Sequence, residues 1–276
     1  MKINFEGKNK KLLVIVPMIL IIGQSFVSSI SLKLLLNTTA VQIIFAGIFI
    51  SVFISFSMTT LADTLKITKE SFIEEINYAE DIYKIHSLAV KVKKDGLLSI
   101  QSDIAVEEDV FIRDGMILLN DYKKPEVIRD ILEKDIESRE INLLKAYHVF
   151  KMISHVAPSL GLIGTLVGLI GLLANMHQPY EIMNNMAAAL VSTLYGSLIA
   201  NFIAVPIMVR IKEYIDKIVL RYAMIMEGML LIAQNDSARN VFDKMNVMLK
   251  EEHRLEYPGK RVNERNYQLH EFKIQE

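Results

Sequence analysis

Charge is distributed unevenly along the chain. Residues 12–32, 39–58, 156–176 and 186–208 contain no Asp, Glu, Lys, Arg or His, while the segments between them are amphipathic and heavily charged. Each apolar run has about 20 residues, enough to cross ~30 Å of hydrocarbon at 1.5 Å per residue. The pattern predicts an all-α integral membrane protein. Its four transmembrane helices would be joined by a helical cytoplasmic segment between the second and third and followed by a helical C-terminal extension. The expected divisions are an N-terminal hairpin over 1–58, a helical segment over 59–155, a second hairpin over 156–208, and a helix with a polar tail over 209–276. A cleaved signal peptide ending near Ser28 and Ser29 competes for the first run, which is long and lacks an A-x-A site.

Within the charged segments the apolar positions recur at helical spacing. Ser71 and Glu74 fit a capping box opening a helix with apolar Phe72, Ile76, Ala79, Tyr83 and Leu88, which Gly96 would end. A shorter helix is expected around Val106–Leu119, and a long one starts at Pro125 and runs towards the third span. Beyond Pro206, the positions Ile211, Tyr214, Ile215, Ile218 and Tyr222 continue the fourth helix with an amphipathic face that would pack on the Pro125 helix. From Glu251 onward the chain reads as a mobile polar tail with one short helix.

Composition sharpens this. The chain is 51% hydrophobic, which places part of it in the membrane class, and its formal net charge of -1 offers no basic excess for nucleic acid. The 31 Lys and Arg lie almost wholly outside the apolar runs. Lys2, Lys8, Lys10 and Lys11 favour a cytoplasmic N-terminus, so four spans place the N-terminus, the 59–155 segment and the C-terminus on the cytoplasmic side. There is no cysteine, which excludes disulfides and thiol chemistry. His148 and His155 lack metal-ligand spacing and read as ordinary interfacial residues. No metal site, cofactor or catalytic constellation of an enzyme is expected.

In the second hairpin, Gly161, Gly164, Gly168 and Gly171 fall within about 80° on a helical wheel, with Thr165 at the edge of the stripe. Ala189, Ser192, Thr193, Gly196, Ala200 and Ala204 make a matching face on the fourth span. Such faces let helix backbones approach closely in lipid. A phosphate-binding loop is disfavoured, because these glycines sit mid-membrane. Gly47, Ser51, Ser55 and Thr59 form a similar stripe on the second span, read as packing with an ion-lining role as the alternative. No span carries an Asp, Glu, Lys, Arg or His, so an ion pathway here would take its carboxylate from another chain. Thr165 and Thr193 either flank that carboxylate or bond to i−4 carbonyls and pack. Pro158 and Pro206 either hinge the two spans or, respectively, lie near a helix start and kink.

The stretches APSLGLIGTLVGLIGLLANM and MAAALVSTLYGSLIANFIAVPI resemble the two signatures of the MotA/PomA stator subunits of the bacterial flagellar motor, within the MotA/TolQ/ExbB proton-channel superfamily. SLAVKVKKDGLLSIQ and MEGMLLIAQND extend the likeness to about residues 41–250. The resemblance implies a homo-pentameric ring in the bacterial inner membrane, surrounded by lipid. Inside the ring, a MotB/PomB-type single-span partner would present a membrane aspartate beside Thr165 and Thr193. Passage of H+ or Na+ would then turn the ring against a FliG-type rotor protein. Lys93, with Lys94, matches the family's basic rotor face. Gln101 stands where the family often has glutamate, leaving Glu107, Glu108 or Asp109 to replace it. A related motor energising another envelope process is the alternative.

Overall fold

The computed structural model describes residues 16–18, 20, 21, 23, 24, 37–174 and 179–258. The described residues of the first apolar run are helical; the rest of that run, the N-terminal lysines and the tail beyond Pro258 lie outside the described residues. Among the described residues every regular element is a helix: α1 (Thr38–Ser55), α2 (Met58–Ile73), α3 (Tyr78–Asp95), α4 (Gln101–Val106), α5 (Val110–Asn120), α6 (Pro125–Ala174), α7 (Pro179–Leu198), α8 (Val205–Ala233) and α9 (Ala238–Val247), with short 3₁₀ turns at Leu97–Ile100 and Glu251–His253 and a π-turn at Ile199–Ala204. The chain divides into two compact units, residues 1–65 with 146–209, and residues 66–145 with 210–276.

The first unit holds the apolar runs. Thr38–Ser55, a stretch of α6 and the helical stretch from Asn185 are long and apolar enough to cross a membrane. Asn37 starts α1 by accepting from the Ala40 N–H at 3.0 Å. α1 packs beside α7, and Gly47 lies against Leu160 of α6 so closely that a Cβ would meet its Cδ1 at 2.7 Å. The stripe expected to run from Gly47 to Thr59 is interrupted. α1 ends at Ser55, Phe56 is extended, and Ser57 opens the next helix by accepting from the Thr60 N–H at 3.2 Å. α7 begins at Pro179, a residue pre-set for a first helical position, so its first turns lie between the last two apolar runs.

The second unit is built around Ile82, Ile85, Phe111, Ile128, Met229 and Phe242, drawn from α3, α5, α6, α8 and α9. Helices Pro125–Ala174 and Val205–Ala233 therefore pack in this core as their apolar spacing predicts. The Ser71–Glu74 capping box does not form. Ser71 is buried near the end of α2, where its hydroxyl donates to the Thr68 carbonyl at 2.7 Å. Arg210 Nε donates to the Ser71 carbonyl at 2.7 Å and the Tyr214 hydroxyl to the Glu74 carboxylate at 2.7 Å, so side chains of α8 take up the groups that would have continued or capped a helix there. Burial, then that hydrogen bond to Glu74, pushes the Tyr214 phenol far up. Asn77 caps α3 instead, and Gly96 ends it at φ 82°, a conformation that favours glycine. The helix expected at Val106 starts at Val110, where Asp109 accepts from the N–H groups of Phe111 and Ile112 at 2.9 and 3.1 Å.

The segment after Glu251 is anchored as far as it is described. The Asn246 side chain exchanges two hydrogen bonds with the Leu255 backbone, at 2.8 and 2.9 Å. Tyr257 meets the rings of His86 and Phe242 edge-on beneath the Arg239 guanidinium. Burial pushes the His86 imidazole below its ordinary value, so the ring facing Tyr257 is neutral near pH 7.

Candidate ion-conducting site

The glycines of α6 bring two backbones together. A Cβ on Gly161 would meet the Ser192 carbonyl oxygen at 2.9 Å and Thr193 Cα at 3.1 Å, and one on Gly168 would meet the Asn185 carbonyl oxygen at 2.9 Å. A Cβ on Gly196 would run into the Ala157 carbonyl. Gly164 faces the Ser192 side chain, while Ala189 and Ala200 are both 2% exposed. Glycine and small side chains line this seam, so the backbones of α6 and α7 approach closely.

At the middle of the seam the structure brings Thr165 and Thr193 into direct hydroxyl-to-hydroxyl contact. Thr165 Oγ1 also lies 3.1 Å from the Gly161 carbonyl and 3.2 Å from that of Ala189, and Thr193 Oγ1 lies 3.3 Å from the Gly161 carbonyl. Thr165 does reach its i−4 carbonyl, one of the two alternatives left by the sequence, and does so within a cluster of four oxygens. Two hydroxyl protons serve these contacts, which leaves lone pairs on every oxygen. Thr193 is exposed and Thr165 half-buried. The arrangement is a hard-oxygen surface with no negative charge of its own. The two carbonyls were missed in the sequence because a backbone oxygen has no residue signature, although the i−4 relation of Gly161 to Thr165 pointed to one of them.

The prolines differ in setting. Pro158 is no helix-start residue; it lies inside α6, 33 positions after Pro125, and the helix continues through it. Pro206 is exposed and follows the π-turn, where the Val205 N–H donates to the Ala200 carbonyl five residues back. A proline lacks the N–H that an α-helical register would require, and the wider turn precedes the residue that could not have donated.

The expected rotor-facing residues lie on the second unit, and their settings separate them. Lys94, Glu108 and Gln101 are exposed. Glu107 is paired with Lys84 at 3.0 Å and accepts from the Asp109 N–H at 3.0 Å. Lys93 Nζ donates to both oxygens of Asn235, at 2.8 and 2.9 Å. Asn235 has φ 57° and ends α8, with the Asp236 N–H closing on the Leu231 carbonyl at 3.0 Å. Lys93→Met should therefore destabilise the chain by about 1 kcal/mol or less, and Lys94→Met should be neutral, as read by thermal denaturation. Equal melting temperatures for the two variants would remove the capping role of Lys93. His148 and His155 are exposed, and no cluster able to hold a metal occurs among the described residues.

Long apolar helices and a glycine-sealed hairpin with an oxygen cluster at its centre mark an all-helical chain with segments able to cross a membrane. The family model of the MotA/TolQ/ExbB proton channel family matches residues 104–224. The chain is 32% identical to the chemotaxis protein PomA of Vibrio alginolyticus, over 76% of this chain and 82% of that protein. It is 31% identical to the uncharacterized protein YtxD of Bacillus subtilis, over 92% and 93%. The flagellar MotAB stator complex from Bacillus subtilis superposes with a TM-score of 0.78 at 25% identity, covering 88% of this chain and 96% of that one. The chain belongs to the MotA/PomA family of flagellar motor stator subunits.

Proposed function

We propose that this chain forms the ion-conducting wall of a flagellar stator, a homo-pentameric ring around a MotB/PomB-type partner. The observation that carries the reading is the oxygen cluster of Thr165, Thr193, Gly161 and Ala189, which lacks a carboxylate and leaves Thr193 exposed. A membrane aspartate on the partner helix would complete it. Its charge would draw in a cation, hydroxyl and carbonyl oxygens would replace part of the hydration shell, and Thr193 would touch the partner directly. The glycine seam keeps the two threonines in register. Pro158 and Pro206 are the proposed points of conformational coupling. The ion is H+ or Na+, four spans cross the inner membrane, and both termini are cytoplasmic, where Lys94 and Glu108 face a FliG-type rotor protein.

A second reading, a related ion-driven motor serving another envelope process, is favoured by Gln101 and by the use of Lys93 and Glu107 in internal contacts. Both readings require the same ion site. Co-expressed with its partner, the Thr193→Val chain is expected to retain the complex and lose at least about tenfold in ion flux and torque, since one ligand and one hydrogen-bond donor are gone. Expressed alone, the wild-type chain should conduct nothing. Flux without a partner, or full torque from Thr193→Val, would sink the site. Swimming speed against sodium concentration then identifies the ion, and loss of swimming on deletion separates the flagellar reading from the other.

A further inference from the structure

One polar side chain in the fourth span has no part in the site just described. Asn201 lies within the π-turn Ile199–Ala204, nine positions before Arg210, the first charged residue that follows. It is exposed on the chain. Its Nδ2 donates to the Ser197 carbonyl at 2.9 Å, and among the described residues its Oδ1 has no hydrogen-bond partner. An amide oxygen facing hydrocarbon without a hydrogen bond is costly, so this face of the helix borders water, an ion or another polar chain rather than lipid.

The position along the helix narrows the choice. Thr193, Ser197 and Asn201 follow one another at intervals of four residues, and the bond from Asn201 to Ser197 places the latter two side by side. In an α-helix a four-residue interval drifts by about 40°. The i→i+5 register of the π-turn turns less per residue and reduces that drift, so Asn201 stays below Thr193. The buried residues Ala189, Ser192, Ala200 and Ala204 border this line of polar side chains, while Asn201 itself is exposed. Eight residues at 1.5 Å place Asn201 about 12 Å from the threonine pair, towards Arg210.

We propose that Asn201 is a second station on the conduction path, whose amide oxygen receives the cation, or the water that carries it, after it leaves the threonine pair. The inference rests on the stator reading, which supplies the direction of travel. A dehydrated cation leaving the hydroxyl and carbonyl ligands of the threonine pair has no charged side chain on this helix before Arg210, and a neutral oxygen on the way lowers the barrier without trapping the ion. The π-turn is then the device that keeps this oxygen on the face of the path.

The test uses the full chain co-expressed with its single-span partner, with ion flux, its dependence on sodium and pH, and recovery of the complex measured for Asn201→Leu, Asn201→Ser and Asn201→Asp beside Thr193→Val. Asn201→Leu should lower flux at least tenfold with the complex intact, and Asn201→Ser should restore most of it. Asn201→Asp should shift the half-saturating cation concentration severalfold lower, because it adds charge at the same oxygen. Wild-type flux from Asn201→Leu overturns the inference. So does loss of the complex in all three variants, which would make Asn201 a support of the π-turn alone. If Thr193→Val also leaves flux unchanged, the stator ion site itself fails; if only the Asn201 variants do so, that site stands without a second station.

Discussion

Gly196→Ala is expected to abolish motility, lowering flux at least about tenfold and reducing recovery of the assembled complex. The methyl group would enter the space of the Ala157 carbonyl and lie 3.2 Å from both Ala157 C and Gly161 Cα. All of these are backbone atoms, so no rotamer change relieves the contact and the helices must separate. Overpacking of this kind costs about 1–3 kcal/mol in stability. The functional loss should be larger, because the same separation pulls Thr193 from Thr165 and from the Gly161 carbonyl. Gly171→Ala is the control. Its nearest neighbours are side-chain atoms of Asn185 at 3.3–3.4 Å, which have room to give, and motility should be close to wild type. Equal motility in the two variants would show that the seam is looser than its contacts require.

Arg221→Met should be the most destabilising single change in the second unit, by about 3–5 kcal/mol. Arg221 reaches both oxygens of Asp81 at 2.7 and 2.8 Å and Asp109 at 2.6 Å, joining α3, α8 and the cap of α5. The Asp81 side chain is only 6% exposed, so removing the cation strands a buried carboxylate beside a second one. The hydrogen bond and charge of Asp81, with those of Asp109, hold the Arg221 guanidinium well above its ordinary value despite its burial. Burial alone would raise the Asp109 carboxyl, but Arg221 and the N–H groups of Ile112 and Phe111 outweigh it and hold the group below its ordinary value of 3.8. That depression stabilises the fold above the ordinary carboxylate value and is lost as pH falls through it to the folded value. Thermal denaturation between about pH 2 and 6, which brackets the ordinary Asp value, should show a steeper acid loss in wild type than in Arg221→Met. Parallel curves would remove Asp109 from the account.

The membrane helices were legible because twenty uncharged residues in a row have few alternatives, and helical spacing alone placed the glycine and threonine stripes on facing sides. The capping box at Ser71 misled because its local chemistry is sound. Asn77, six residues later, offers the same chemistry, and the choice fell to Arg210 and Tyr214, some 140 positions away. The described part of the tail, residues 251–258, misled for a similar reason. Its polarity reads as solvated, but Asn246 supplies the backbone hydrogen bonds that Leu255 would otherwise make with water. The resemblance points to Lys93 and Glu107 as rotor-facing residues, whereas their contacts with Asn235 and Lys84 join segments far apart in sequence and form only when the helices pack.

By itself the sequence determined the all-helical class, the long Pro125 helix, the small-residue faces of the hairpin and the absence of a membrane carboxylate, because these follow from residue type at a fixed period. Tertiary structure alone decided which oxygens meet: Thr165 touches Thr193 across 28 positions, with Gly161 and Ala189 lending carbonyls. It also decided that Asn201 turns outward from a π-turn. Periodicity places a side chain on a face, whereas only the approach of a second backbone sets the distance between two oxygens, and ion coordination depends on that distance.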